Sequence, residues 1–250
     1  MIPKVIHYCW FGGKPLPESA KKCIASWRKY LPDYEIKEWN ESNFDVNMIP
    51  YTEEAYMLKK YAFVSDYARF WILYKYGGLY FDTDVEVVRP MEEIIERGPF
   101  MGREKKDGDE DSPYNISVNP GLGLAAPSYF SFYGEILRFY ESHHFSTWSG
   151  VAQQTVVDIT TKIIMKHGVE KITGNILECK GVFIYPTEYF CPMNYFTKEM
   201  KITENTISIH HYTATWCVDN RSFIEKLKKR ISFIYVRLTT TLKRNVHGTR

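Results

Sequence analysis

The sequence predicts an α/β protein, in which helices pack on the faces of a β-sheet. Three observations support this fold class. Strand-like and helix-like segments alternate through the first half of the chain, residues 62–76 repeat aromatic side chains at helical spacing, and two glycines then lead into a short apolar strand. Alternation of this kind is typical of a sheet covered by helices.

The predicted elements of the first half follow one another closely. They are a strand at 4–10, a helix at 18–30, a strand at 34–39, a helix at 62–76 and a strand at 79–82. The pattern of the second half is less regular. It predicts a strand near 115–126, helices near 129–141 and 150–167, and strands near 182–185 and 207–211.

The aromatic segment has the spacing of a helix with one buried face. Its large side chains recur every three or four residues, at Phe63, Tyr67, Phe70, Trp71 and Tyr74. Such spacing places them on one side of a helix. Gly77 and Gly78 follow directly, and glycine tolerates the left-handed conformation that often ends a helix. The helix is therefore expected to stop there and to turn into the next strand.

Two carboxylates stand at the end of that strand. Residues 79–81 are apolar, and Asp82, Thr83 and Asp84 follow them. In an extended chain, residues two apart project from the same face, so both carboxylates can meet one cation. Carboxylate oxygens suit Mg²⁺ and Mn²⁺. A cation held there can bridge a diphosphate and neutralise the charge that grows on it as a leaving group.

Asp66 and Arg69 lie three residues apart on the predicted helix, and hence on one side of it. There they can hold a ribose hydroxyl and a phosphate, respectively. The alternative is an ion pair within the helix. Exposed pairs of that kind contribute only about 0.5 kcal/mol and are common, so spacing alone leaves both interpretations open.

The same region resembles a known enzyme family. The string SDYARFWILYKYGGLYFDTD resembles the signature of the family 32 glycosyltransferases, a DXD-containing group with bacterial capsule enzymes and yeast-type initiating mannosyltransferases. It is also similar to the glucosyltransferase domain of the large clostridial toxins. IPKVIHYCWFGG resembles the opening strand of both groups, and SIHHYTATW the closing motif of the family. The resemblance spans residues 2–216 and implies the GT-A fold, with a Rossmann-like nucleotide-binding half.

The resemblance also implies roles for residues around the two carboxylates. Trp10 would stack on the base of the donor, with backbone contacts from Cys9, although Trp10 also fits an ordinary core aromatic. Tyr80 would contact the diphosphate region. Asp84 would bind the metal directly. Asp82 would contact the metal through water, or it would contact the donor directly.

Further donor contacts come from the same resemblance. Asp66 would hold the ribose, and Arg69 the sugar or phosphate. Asn119, and Gln154 in the pair 153–154, stand where the family often places polar groups near the transferred sugar.

The closing motif supplies a candidate imidazole ligand. Alternation along a strand puts His210 and His211 on opposite faces, so only one can reach the cation. We favour His211, with His210 as the alternative, because His211 before Tyr212 resembles the His-Tyr ligand arrangement of related retaining transferases. Imidazole also suits Mn²⁺ beside two carboxylates. Thr215 and Trp216 resemble the residues that close over the diphosphate in the toxin group. The alternative to a metal-binding role is that the closing motif forms a buried strand whose histidine is incidental.

Composition bounds the remaining properties. A chain of 250 residues with 44% hydrophobic content can form one substantial core, here assigned to residues 1–220 as one catalytic domain. Its five cysteines are odd in number and lack paired metal spacing, as expected of reduced thiols. No signal-peptide pattern opens the sequence, and no apolar run approaches the roughly 20 residues of a membrane span. A cytoplasmic location is expected, with the inner face of the membrane as the second option.

The last segment is strongly basic. Residues 221–250 hold nine Lys or Arg and only Glu225, a net charge of +8 against +2 for the whole chain. Apolar residues recur there at helical spacing, which predicts a basic amphipathic helix. Such a helix can bind an anionic membrane surface, or it can dock on its own domain with the basic face in water. Nothing accompanies the charge that indicates a nucleic-acid partner.

These features predict a metal-dependent glycosyltransferase with Mn²⁺ or Mg²⁺ as cofactor, and the resemblance implies that the anomeric configuration is retained. The donor would be a UDP- or GDP-hexose, and the acceptor a hydroxyl of a surface polysaccharide or a lipid-linked oligosaccharide. Two other classes stay open: a nucleotidyl or phosphoryl transferase with the same acidic site, and a catalytically silent sugar-nucleotide-binding protein. The short Gly12–Gly13 pair before Lys14 does not make a phosphate loop, and an intact Asp82 and Asp84 argue against a silent protein.

Overall fold

The computed structural model describes residues 1–104, 117–145, 154–169, 174–194 and 198–213. Thr215, Trp216, the first residues of the helix expected at 150–167, and the basic segment 221–250 lie outside the described residues. Within these ranges the predicted α/β class is confirmed.

The elements alternate between strands and helices as the sequence indicates. The described strands are β1 (Val5–Cys9), β2 (Glu35–Trp39), β3 (Gly78–Tyr80), β4 (Val85–Val87), β5 (Phe100–Arg103), β6 (Val118–Ala126), β7 (Leu177–Cys179), β8 (Val182–Tyr185) and β9 (Ser208–His210). The described helices are α1 (Glu18–Tyr30), α2 (Pro50–Met57), α3 (Tyr61–Tyr76), α4 (Glu92–Arg97), α5 (Ser131–Glu141), α6 (Val156–Lys166) and α7 (Thr187–Phe190).

Among the described residues, seven strands form the main sheet, in the order β2-β1-β3-β6-β5-β8-β7. β1 pairs in parallel with β2 and β3, and β5 pairs in parallel with β8, whereas β6 runs antiparallel to both β3 and β5. The carboxyl ends of β1, β3, β5 and β8 therefore meet at one edge, together with the start of β6. In open α/β sheets this is the edge at which ligands bind.

Each face of the sheet carries its own core. One core packs α2, α3, α5 and α6 against residues such as Tyr80 and Met101. The other packs α1, α4 and α7 against residues such as Leu79 and Phe100. Neighbouring strand residues thus enter opposite cores, as the alternation of side chains along a strand requires. This burial on both faces explains why the central strands β3 and β6 are almost wholly apolar.

The glycines after α3 act as predicted. Gly77 has φ 67° and its amide donates to Leu73 O, which ends the helix. Gly78 has φ 104°, and a Cβ on it would lie 2.6 Å from Val5 O. A side chain cannot be accommodated there, so β3 can lie directly beside β1 only because residue 78 is glycine.

Several short elements escaped prediction, among them α2, β4, α4, β5, β7 and α7. β4 and β7 have only three residues each, too few to show an alternation. The strand expected at 79–82 ends at Tyr80, and this difference affects the site described below.

His7 of β1 is hydrogen-bonded both to β2 and to the glycine that ends α3. Trp39 Nε1 donates to His7 Nδ1 at 3.0 Å, and the other ring nitrogen lies 3.0 Å from Gly77 O. Because an indole N–H only donates, Nδ1 is the acceptor and Nε2 carries the proton toward Gly77. Burial lowers the pKa of His7 to about 4, so the ring is neutral in the folded protein.

We expect this histidine to destabilise the fold in acid. The unfolded chain takes up a proton near pH 6.5 and the folded chain near pH 4, so stability falls as the pH drops through this range. The loss from this one group is about 3 kcal/mol. Chemical unfolding of the wild type and His7→Gln between these pH values measures it. Parallel pH dependences for the two proteins would show that His7 contributes nothing.

The described residues contain no helix that is both long and apolar enough to span a membrane. Cys9, Cys23, Cys179 and Cys191 are buried and form no disulfide among the described residues, and Cys217 lies outside those residues.

Candidate active site

The candidate site lies at the carboxyl edge of the main sheet. Trp10 follows β1, Asp82 and Asp84 follow β3, and Asn119 stands at the start of β6. The small antiparallel sheet of β4 and β9 brings His210 to the same place. The topology thus gathers residues from both ends of the described chain.

Asp82 and Asp84 lie in a turn, which corrects the extended geometry assumed from the sequence. The amide of Val85 donates to Asp82 O at 3.0 Å, the hydrogen bond of a tight turn. Alternation therefore does not set the direction of the two carboxylates. The two carboxylates still interact electrostatically. Burial is the main cause of the raised pKa of Asp82, and the charge of Asp84 raises this pKa further.

Asp82 is held by side chains on two sides. Tyr80 donates its hydroxyl to Oδ1 at 3.1 Å, while the two terminal nitrogens of Arg69 lie 3.2 and 3.4 Å from Oδ1 and Oδ2. Gly121 of β6 packs against the remaining side, where a Cβ would come within contact distance of Oδ2. These contacts fix the carboxylate in one orientation.

Arg69 forms the ion pair that the sequence left open. Its Nη2 lies 3.0 Å from Asp66 Oδ1, and the guanidinium stacks over the Tyr80 ring at 5.0 Å. Burial raises the pKa of Asp66 to about 7, against the effect of Arg69 and of a hydrogen bond from the backbone of Val156. Arg69 is 3% exposed between Asp66 and Asp82, so in this arrangement it positions Asp82. A direct contact of Asp66 or Arg69 with ribose or phosphate stays a prediction.

Asp84 makes its own set of contacts. Its Oδ1 lies 3.1 Å from His210 Nε2, and its Oδ2 accepts from the amide and the hydroxyl of Thr213 at 3.0 and 3.2 Å. Although burial opposes it, the bond from His210 lowers the pKa of Asp84 to about 2. The same pairing raises the pKa of His210, again against burial.

His210, and not His211, faces Asp84, so the geometry favours the alternative histidine, and which of the two binds a metal stays a prediction. The register of β4 and β9 places His210 opposite Val85, the residue after Asp84. His211 points to the other side, where its Nε2 lies 2.7 Å from Glu86 Oε2. The sequence could show that the histidines diverge. It could not show which one faces the site, because that depends on the pairing with the unpredicted strand β4.

Trp10 and Cys9 end β1 at the same edge. Trp10 is half-buried, and its Nε1 donates to Lys14 O at 2.6 Å, which closes the loop after the strand. Cys9 is buried, and burial raises the pKa of its thiol to about 12. Trp10 thus keeps part of its surface exposed beside the site, whereas Cys9 has the environment of a core residue.

Asn119 lies inside the site. Its Oδ1 accepts from the amide of Gly121 at 2.7 Å, and its Nδ2 donates to Glu104 at 2.6 Å. Gln154 is exposed and stands two residues before Val156, whose backbone contacts Asp66. Thr215 and Trp216 are not among the described residues, so their predicted roles are not tested.

Glu104 is a site residue that sequence reasoning missed. It follows β5 directly, as Asp82 and Asp84 follow β3, and so reaches the same edge. Its carboxylate accepts from Asn119, and from the hydroxyl of Tyr212 at 3.2 Å. Its position directly after a strand is the feature that could have indicated Glu104. Because β5 was not predicted, Glu104 was not identified.

The donor set suits a hard divalent cation. Two ligands at right angles on a cation with bonds of about 2.1 Å lie about 3 Å apart. The 3.1 Å between Asp84 Oδ1 and His210 Nε2 fits this spacing. His210 Nδ1 is buried and has no hydrogen-bond partner within the described part of the chain.

The site nevertheless lacks a complete protein cage for a cation. No group of three or more His, Cys, Asp or Glu side chains in the described ranges has the geometry to hold a metal. Mg²⁺ sites with one or two carboxylates are usually completed by substrate phosphates and water. Asp84 and His210 could supply part of such a coordination shell.

Comparison with known proteins agrees with this geometry. A family model described as a glycosyltransferase sugar-binding region containing a DXD motif matches residues 17–101, which include Asp82 and Asp84. Inositol phosphoceramide mannosyltransferase 3 of Schizosaccharomyces pombe is 30% identical over 157 residues, 58% of this chain and 40% of that protein. Inositol phosphoceramide mannosyltransferase 1 of the same yeast is 29% identical over 111 residues, 40% of this chain and 33% of that protein. The matches thus span well under half of these relatives.

A solved structure shows the same fold. The PaToxG glycosyltransferase superposes with a TM-score of 0.51 and 19% identity, over 66% of this chain and 69% of that one. This similarity confirms the GT-A fold. By its matched region and its relatives, the chain is similar to the DXD-containing glycosyltransferases, and it shares their fold.

Proposed function

We propose that the protein is a metal-dependent, retaining glycosyltransferase that moves a hexose from a nucleoside diphosphate to a hydroxyl of a lipid-linked or polysaccharide acceptor. The observation that carries the proposal is the convergence of Asp82, Asp84 and His210 at the carboxyl edge, beside a half-buried Trp10. An imidazole and two carboxylates suit Mn²⁺, and an aromatic face suits a base.

Each side chain has a distinct part in this proposal. A bound divalent cation neutralises the charge on the departing diphosphate. Asp84 and His210 would hold it, while Arg69 and Tyr80 keep the Asp82 carboxylate turned toward the site. Trp10 would stack on the base. Since Asp82, Arg69 and Tyr80 are locked by packing, the site is preorganised before the donor binds.

Mannose is the first candidate for the transferred hexose. Both curated relatives are named as mannosyltransferases that act on inositol phosphoceramide. By analogy, GDP-mannose would be the donor and a polyol headgroup of a lipid the acceptor. We include in the proposal a contact of the basic segment 221–250 with an anionic membrane surface, where such an acceptor would lie.

A donor panel tests the proposal. The full chain is incubated with UDP- and GDP-hexoses in Mn²⁺ or in EDTA, with and without anionic vesicles containing phosphatidylinositol, and nucleoside-diphosphate release is followed by chromatography. If one nucleoside diphosphate is released in Mn²⁺ but not in EDTA, the result supports transferase chemistry. Donor binding without any release would favour the silent sugar-nucleotide-binding protein, and failure to bind any donor in Mn²⁺ would contradict both.

The two histidines give a matched pair of variants. His210→Ala is expected to weaken Mn²⁺ activation of turnover by about 10- to 100-fold, because it removes a metal ligand or its orienting partner. His211→Ala removes only the contact with the half-exposed Glu86 and is expected to leave activation within about twofold. Mn²⁺ titration of the release rate measures both. The reverse order of effects would restore His211 as the metal-side residue.

A further inference from the structure

We propose that Glu104 binds the reacting hydroxyl of the acceptor. The inference rests on the proposed function and deepens it, since it names the acceptor side of the same site and a hydroxyl-bearing polyol as the ligand class. Glu104 lies outside the family match at residues 17–101 and outside the three quoted segments that carry the resemblance.

The order of strands places Glu104 at the end of the site away from Trp10, on which the nucleotide base of the donor would stack. Along the carboxyl edge the strands run β1, β3, β6, β5. Trp10 ends β1, Asp82 and Asp84 follow β3, Asn119 starts β6, and Glu104 follows β5. A donor laid along this edge with its base on Trp10 and its diphosphate at the aspartates points its sugar toward Asn119. The next position along the edge, beyond the sugar, belongs to Glu104.

The described hydrogen-bond partners of Glu104 are neutral. Asn119 Nδ2 donates to it at 2.6 Å, Tyr212 OH at 3.2 Å and Ser117 Oγ at 3.4 Å. The bond from Asn119 is short and orients the carboxylate. The two hydroxyl contacts are longer and therefore weaker, so an incoming hydroxyl can replace either of them without leaving Glu104 unpaired.

Glu104 is also linked to the cation side of the site. Tyr212, which donates to Glu104, packs its ring edge-on against His210 with the ring centroids 4.2 Å apart. Asn119 connects Glu104 in the other direction to Gly121, beside Asp82. A hydroxyl on Glu104 would therefore lie close to both the sugar and the departing diphosphate.

In a reaction that retains the anomeric configuration, Glu104 would orient the acceptor hydroxyl. The acceptor oxygen forms a bond to the anomeric carbon on the face from which the diphosphate leaves, and the bond from that carbon to the phosphate oxygen breaks with its electron pair on the diphosphate. The hydroxyl proton passes to the departing phosphate oxygen. Glu104 accepts a hydrogen bond from the acceptor and holds its oxygen in line for attack, which is a gain from orientation.

The test separates acceptor binding from donor binding. Glu104→Gln and Glu104→Ala are compared with Glu96→Gln, a change of an exposed residue on α4. Methyl α-D-mannoside and myo-inositol serve as acceptor probes, and nucleoside-diphosphate release is measured in Mn²⁺ with and without them. Donor affinity is measured by calorimetry, and folding by thermal unfolding.

We expect acceptor-stimulated release to fall about 10- to 100-fold in Glu104→Ala and less in Glu104→Gln, whose amide oxygen still accepts a hydrogen bond. Donor affinity should stay within about twofold of the wild type and of Glu96→Gln, and release to water should fall much less than release stimulated by the polyols. Equal losses with water and with the polyols, or no loss at all, would overturn the proposal. So would a wild type that turns over donor but is not stimulated by either polyol. A wild type with no metal-dependent turnover would instead show that the proposed function itself fails.

Discussion

Replacement of Asp84 by asparagine is expected to reduce metal-dependent donor turnover by about 100-fold or more while the protein stays folded. Asp84 is the carboxylate that pairs with His210 at 3.1 Å, and interactions with Thr213 also favour its ionised form. An amide has the same shape but no charge, so it cannot hold a divalent cation against a diphosphate. Steady-state release of nucleoside diphosphate over a range of Mn²⁺ concentrations measures the loss.

Glu86→Gln is the matched control. Glu86 lies two residues further along the chain, is partly exposed and contacts His211. It should retain turnover within about twofold, because exposed pairs contribute little. Near-normal turnover in Asp84→Asn, at a thermal stability equal to that of the control, would reject Asp84 as a metal-side residue.

Gly121→Ala is expected to cause the second large loss. A Cβ at this position would overlap Asp82 Oδ2 and would lie 3.0 Å from Asn119 Oδ1. Asp82 is already held by Arg69 and Tyr80, so the methyl group must displace the carboxylate or shift the strand. A displacement of about 1 Å at a reacting site can cost about 100-fold in rate. The accompanying loss of stability should be about 1–3 kcal/mol, as for an overpacked core.

Gly174→Ala controls for the loss of a glycine as such, because a Cβ there meets nothing within 4 Å. Its turnover and unfolding free energy should stay close to those of the wild type. If Gly121→Ala kept full turnover, the arrangement of Asp82 against β6 would be unimportant for activity.

The strongest local patterns in the sequence were the best predictors of the fold. The helix expected at 62–76 is α3 (Tyr61–Tyr76), and the glycines that follow it have the positive φ angles the prediction required. Helical periodicity over sixteen residues and a glycine stop are local signals, which a single sequence displays fully. The strand at 182–185 was likewise predicted with its observed bounds.

The details of the site depend on contacts between distant segments, and these the sequence did not show. The choice of His210 over His211 follows from pairing between β4 and β9, two strands of three residues each. Glu104 escaped notice because β5 was not recognised. The contact between Arg69 and Asp82 was missed for a similar reason: spacing placed Arg69 beside Asp66, but only the folded chain brings Asp82 to within 3.2 Å of it.

Anomalous diffraction from crystals of the protein with Mn²⁺ and GDP, and separately with Mn²⁺ and UDP, tests the central claim most directly. The account predicts one manganese peak in contact with Asp84, with His210 beside it and the diphosphate oxygens completing the coordination, and a base stacked on Trp10. A manganese peak between Glu86 and His211, or a nucleotide bound away from the carboxyl ends of β1 and β3, would contradict it.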